Sequence, residues 1–215
     1  EEQASISVGR VREDFADQLR VFNERGYREV RRSKVWELDL TAGRERLMAG
    51  AERSREAMAK QGVRLMTLDQ YEDPDRLAKL YSLTVAAEGD IPTTVPMRIP
   101  PFDEWHRFWF ENPGVREDRF WVARAGDDLV GLSVIGYPPT RGLPWTFFTG
   151  TSPSVRGRGV ARALKYETLA QAIELGAQRV RTMNDGENAP ILHLNTEMGY
   201  KPVNPVIELH FELDA

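Results

Sequence analysis

The stretch "SPSVRGRGVARALKYETLAQA" (152–172) sets Arg156, Gly157, Arg158 and Gly159 directly before a helical pattern. Glycine is a poor helix former and neighbouring guanidinium groups repel each other. A strand-like run, "PWTFFTGT" (144–151), comes just before it. The first turn of a helix leaves backbone N–H groups unpaired, and the helix dipole makes that end favourable for an anion. Without Cβ atoms, Gly157 and Gly159 let a phosphate approach the main chain, and Arg156 and Arg158 add charge-assisted hydrogen bonds. A diphosphate ligand accounts for both oddities at once. The plainer reading is a glycine-rich strand-to-helix turn with solvated arginines. A Rossmann fingerprint fits poorly, and a Walker A loop lacks its Gly-Lys-Ser/Thr.

Composition narrows the field. The 215 residues are 41% hydrophobic and 29% charged, with a net charge of −4. Such a chain buries a sizeable core and carries no global basic field for nucleic acid. It has no cysteine, so disulfides, thiolate catalysis and cysteine-ligated zinc are excluded. His106, His193 and His210 have no metal-ligand spacing, and no metal is expected. No apolar run approaches the ~20 residues of a membrane span, and no signal-peptide pattern is present. The expectation is a cytoplasmic protein.

Downstream of the motif, "AQRVRTMN" (177–184) alternates as a strand and "ENAPILHLNTEM" (187–198) reads as a helix capped by Asn188. Gly199 stops that helix, and "PVIELHFEL" (205–213) alternates as a strand. The same grammar opens the chain. "ASISVGRV" (4–11) is strand-like, "EDFADQLRVFNER" (13–25) spaces Phe15, Leu19 and Phe22 as a helix, and "SKVWELDL" (33–40) alternates Trp36, Leu38 and Leu40. The copies align without a gap, Gly26-Tyr27-Arg28 on Gly199-Tyr200-Lys201, at an offset of 173. This is the signature of a domain-scale repeat.

Between the copies, 43–62 reads as a polar connecting helix, 73–89 and 102–113 as helices, 90–101 as a Pro-rich loop, and 118–137 as two strands around Gly126-Asp127-Asp128. The expected class is α/β, an antiparallel meander feeding a parallel pair.

With these elements in place, the sequence resembles the GNAT superfamily of N-acetyltransferases. Its signature Gln/Arg-x-x-Gly-x-Gly/Ala appears as Arg156-Gly157-Arg158-Gly159-Val160-Ala161, and "NDGENAPILHLNTEMGYKPV" (184–203) resembles the segment that completes the family's acetyl-CoA site. The resemblance implies a GNAT fold with acetyl-CoA as cosubstrate. It implies that the backbone from Val155 to Ala161 cradles the diphosphate. It implies further that strand 147–151, with Thr149 and Thr151, pairs with the pantetheine arm, and that Asn188 and Asn195 border the same ligand. Many family members carry a tyrosine acid where this chain has Asn195, which is left to hydrogen-bond the sulfur or the arm. No carboxylate lies on 145–151, so Glu88 and Asp90, beside the family's acceptor site, are the candidate bases. Their other reading is a pair of solvated loop acids. Tyr137 is a weaker candidate. Trp105, Trp109, Trp145 and Phe147 line an acceptor pocket or fill the core.

The first copy resembles the end of a second GNAT module, as in tandem, mycothiol-synthase-like proteins. No Arg-x-x-Gly-x-Gly precedes it. The expected domains are a module remnant at 1–42, a connecting helix at 43–62 and an acetyltransferase domain at 63–215. A longer protein is expected, with on the order of 110 residues ahead of Glu1, or else a homodimer partner covering 1–42. The leading function is acetyl transfer to a primary amine of a small molecule. The alternatives are a non-catalytic acyl-CoA-binding module and a nucleotide- or phosphate-binding protein.

Overall fold

A computed structural model describes residues 5–89, 98–138, 142–185 and 188–213. The chain divides into two compact units. Among the described residues, the terminal unit holds 5–37, 183–185 and 188–213, and the central unit holds 38–89, 98–138 and 142–182.

In the terminal unit, β1 (Ile6–Arg12) and β2 (Arg28–Asp39, leaving the unit after Glu37) both run antiparallel to β8 (Lys201–Glu212), which lies between them. α1 (Ala16–Glu24) lays Leu19 and Phe22 on Val11, Ile207 and Leu209. Gly9 makes room for this packing, since a Cβ there would fall 2.4 Å from the Phe22 ring. α6 (Ala189–Glu197) follows β7 (Arg179–Asp185), which enters the unit at Met183.

The repeat is visible element by element. Ile6–Arg12, Ala16–Glu24 and Arg28–Asp39 recur 173 positions on as Arg179–Asp185, Ala189–Glu197 and Lys201–Glu212. Both helices stop at a left-handed glycine, Gly26 at φ 83° and Gly199 at φ 85°, a conformation that glycine adopts without strain.

The central unit orders its strands β7-β6-β5-β4-β3. β3 (Val63–Thr67), β4 (Phe120–Ala125), β5 (Asp128–Gly136) and β6 (Trp145–Thr151) form an antiparallel meander, and β6 meets β7 in parallel. Alternation along the strands sends side chains to two cores. Phe120, Val122, Leu132 and Val134 join Leu80 and Leu83 of α3 (Arg76–Glu88) and Trp105 and Trp109 of α4 (Phe102–Phe110). Ala123 and Val130 join Val160, Ala163 and Leu164 of α5 (Val160–Glu174) and Met58 of α2 (Arg44–Lys60).

Three expectations change. α2 is polar on one side only: it buries Leu47, Gly50, Ala51 and Met58, and a Cβ on Gly50 would strike the Tyr166 ring at 2.3 Å. Its Arg55 forks onto Glu167 of α5 at 2.8 and 2.9 Å. α5, held between the sheet and α2, is buried nearly all round, Lys165 included. Phe15 precedes α1, is 42% exposed, and lies under the Arg12 guanidinium. A register shift between Ser33 and Val35 changes the phase of β2, so that Val35 is buried ahead of Trp36. No helix among the described residues is long and apolar enough to cross a membrane.

Candidate active site

β6 ends at Thr151. A short 3-10 turn, Pro153–Val155, opens on Ser152, and Val155 plugs the loop into the core. The chain then takes left-handed turns at Gly157 (φ 73°) and Gly159 (φ 84°) and enters α5 at Val160. The loop is partly closed on itself. The N–H groups of Val155, Arg156 and Arg158 bond the carbonyls of Ser152, Pro153 and Val155 at 3.2–3.3 Å. The donors expected from Val155 through Ala161 therefore narrow to Gly157, Gly159, Val160 and Ala161, whose N–H groups meet no acceptor among the described residues. Space confirms this opening. A Cβ on Gly157 would touch nothing within 4 Å, and one on Gly159 would meet only Met58 at 3.8 Å. Both arginines are exposed. The Arg158 side chain donates to Gln61 Oε1 at 3.1 Å while its carbonyl accepts from Gln61 Nε2 at 3.2 Å. Sequence reasoning missed this clamp, since Gln61 lies far away along the chain.

β6 carries a second opening. Its pairing with β7 covers Trp145 and Thr146. On the β5 side the register jumps from Phe148 opposite Val134 to Thr146 opposite Ile135, leaving Phe147 as a bulged residue. Bulges bend a strand and end its pairing. The Phe147 ring lies over Gly136, where a Cβ would clash at 2.3 Å, and it is 46% exposed rather than pocket-lining. From Phe147 to Thr151 the edge away from β5 has no partner strand among the described residues. Thr149 turns its hydroxyl to Ser133 at 2.9 Å, and Thr151 is half-buried.

α3 ends against this strand: a Cβ on Gly150 would lie 2.7 Å from that of Ala87. The next residue, Glu88, is half-buried and opens onto a cavity of about 470 Å³ with Trp105, Trp109 and Phe108 among its walls. Burial raises the Glu88 carboxyl above its ordinary value. Asp90 lies outside the described residues. Burial pushes the Tyr137 hydroxyl up to about 12. A phenol that stays protonated so high is no base at neutral pH. His106 packs on Phe102 and Phe110.

In the terminal unit, Asn188 caps α6 by accepting from the Ile191 N–H. Asn195 is wholly buried and donates to Asn184 Oδ1 at 2.7 Å.

The profile of the Acetyltransferase (GNAT) family matches residues 80–200, more than half of the chain. The chain belongs to the GNAT acetyltransferase family. Acetyltransferase SG1711 of Sodalis glossinidius is 29% identical over 92 residues, 43% of this chain and 63% of that protein. Acetyltransferase ECA0875 of Pectobacterium atrosepticum is 29% identical over 87 residues, 40% of this chain and 60% of that protein. These matches thus span less than two thirds of either relative. A GCN5-related N-acetyltransferase from Sphaerobacter thermophilus superposes with a TM-score of 0.66 at 18% identity, over 96% of this chain and 59% of that one. A tandem GNAT protein from the clavulanic acid biosynthesis pathway gives 0.68 at 14% identity, over 98% and 65%. At such identities the likeness is one of fold.

Proposed function

We propose that the chain transfers an acetyl group from acetyl-CoA to the primary amine of a small molecule. The observation that carries this reading is the entrance to α5. Four N–H groups there meet no acceptor among the described residues, two of them on left-handed glycines with open space in place of a Cβ. That is an anion cradle of the kind a diphosphate needs. Arg156 stands beside it, and Arg158 holds the loop through Gln61. The unpaired edge of Phe147–Thr151 supplies main-chain groups for the amide-bearing arm of the cosubstrate, an instance of β-strand addition.

The chemistry asks for a neutral amine. Glu88 takes the proton from the incoming ammonium, directly or through water. The freed lone pair forms the N–C bond to the acetyl carbon while the C–S bond breaks, and that electron pair leaves on sulfur. The nitrogen then gives up its second proton, which the thiolate takes directly or through water, so the products are the N-acetyl amine and CoA. Asn195, being wholly buried, acts as a positioning residue by holding Asn184.

The test measures free CoA released from acetyl-CoA with a panel of primary amines, alongside the melting temperature with CoA. Stabilisation by CoA together with amine-dependent CoA release supports the reading. Stabilisation without turnover by any amine replaces it with a non-catalytic acyl-CoA-binding module. A flat melting temperature at millimolar CoA overturns it.

A further inference from the structure

Gln61 caps the end of α2, and Gly62, left-handed at φ 70°, turns the chain from there into β3. Three contacts fix where α2 lies along α5. A Cβ on Gly50 would strike the Tyr166 ring, Arg55 forks onto Glu167, and the Met58 methyl reaches to 3.8 Å from the place of a Cβ on Gly159. Gln61 is thereby held beside the loop that opens α5.

Both ends of its amide go to one residue. Oε1 accepts from Arg158 Nε at 3.1 Å, and Nε2 donates to the Arg158 carbonyl at 3.2 Å. Arg158 stands between Gly157 and Gly159, at φ 73° and 84°. Glycine has the widest backbone freedom of any residue, so this tripeptide has many arrangements open to it unless it is tied from outside. The Arg158 N–H bonds the Val155 carbonyl at 3.3 Å, which fixes the peptide before Arg158. Gln61 fixes the peptide after it. That peptide joins the Arg158 carbonyl to the Gly159 N–H, and across a planar trans bond the two point in opposite directions. A carbonyl turned to Gln61 aims the Gly159 N–H the other way, where it meets no acceptor among the described residues. The same amide engages Nε of the guanidinium, and both Nη groups meet no acceptor among the described residues.

We infer that Gln61 is a positioning residue for the diphosphate: it locks the Arg158–Gly159 peptide, so that the Gly159 N–H and the Arg158 guanidinium are set for one anion before that anion arrives. The inference rests on the acetyl-transfer reading, which puts the cosubstrate's diphosphate at this loop. An anion that meets a loop already ordered loses less free energy in ordering it. The lock therefore adds affinity at the phosphate end of the cosubstrate and nothing at the thioester.

The experiment compares the native full chain with Gln61→Met, which keeps the length of the side chain and removes both bonds. Calorimetry with CoA and with inorganic pyrophosphate comes first. Gln61→Met should weaken both ligands roughly threefold to tenfold, the worth of such hydrogen bonds, and leave the ligand-free melting temperature where it was. Turnover comes second. With acetyl-CoA, KM should rise by that factor at unchanged kcat. With S-acetylpantetheine, which has the thioester arm and no phosphate, kcat/KM should not change. Gln61→Ala removes the same bonds and serves should the methionine variant fail to fold. Unchanged CoA affinity in the variant overturns the inference, and so does an equal loss with S-acetylpantetheine; where no amine gives turnover, the two affinities decide. Pyrophosphate bound by the native chain and weakened in the variant, without CoA binding, would sink the acetyl-transfer reading and keep the lock. CoA bound equally by both chains would do the reverse. A native chain that binds neither ligand overturns both.

Discussion

Gly150 of β6 and Ala87 of α3 stand so close that a Cβ on the glycine would lie 2.7 Å from the Cβ of the alanine. Real Cβ atoms do not approach backbone-fixed neighbours this closely. The contact pins the end of α3, and with it Glu88, to the strand whose far edge is open. Gly150→Ala should force the two apart. We expect a loss of about 1–3 kcal/mol in stability, the cost of overpacking, and a larger proportional loss of turnover. Urea denaturation and CoA release measure the two, and a variant unchanged in both would show that the contact yields freely.

At Gly159 the backbone at φ 84° strains most side chains, but asparagine and aspartate tolerate it better than others. Gly159→Asn and Gly159→Asp therefore differ in charge while sharing one shape. We expect both to fold. The asparagine variant should keep CoA affinity within severalfold, and the aspartate variant should lose at least about tenfold, because its charge faces the diphosphate. Calorimetry with CoA checks this; equal affinities would remove the anion from the loop.

A base works only when ionised. Since burial raises the Glu88 carboxyl, the ionised fraction falls at a higher pH than for an exposed glutamate. The value of kcat/KM should drop as pH falls through that raised pKa. Glu88→Gln should flatten this acid limb and lower the plateau about 10²–10⁴-fold, the usual worth of a general base. An acid limb that persists in Glu88→Gln would assign the proton to another group.

Burial pulls the Lys165 ammonium from 10.5 to about 7. Between those values the folded chain binds fewer protons than the unfolded chain, so stability rises with pH through that window. Below it the full cost of the buried lysine is present. Lys165→Met should remove the rise. Melting curves from pH 6 to 10.5 measure it; a parallel pair of curves would contradict it.

Glu167 is 1% exposed and depends on Arg55, whose own side chain is 56% exposed. Arg55→Ala leaves a buried carboxylate uncompensated. Full loss of a buried pair costs about 3–5 kcal/mol, and solvent access at Arg55 reduces this to about 2–3 kcal/mol. Guanidinium denaturation tests whether α2 is integral to the central unit; a negligible loss would make it a loose appendage.

The features legible in the sequence are those set by neighbours along the chain. Gly157 and Gly159 before the 160–174 pattern marked the strand–loop–helix unit, and Gly26 and Gly199 marked the repeat. β3 escaped notice because five residues, "VRLMT", carry too little alternation to separate a strand from a loop. The shift in β2 escaped because a bulge breaks the period on which the reading rests. The burial of Lys165 and the clamp of Gln61 on Arg158 depend on residues remote in sequence. Local pattern carries no record of them.

The bulge at Phe147 has an evolutionary side. Phe148 stays opposite Val134 and Thr146 opposite Ile135 whether or not a residue stands between them. Losing that one codon would leave both halves of the ladder in register and straighten the strand. Such a descendant would keep its ladder to β5 and lose the ring that lies over Gly136. One in-frame deletion or insertion is thus enough to remove or restore the bend of this strand.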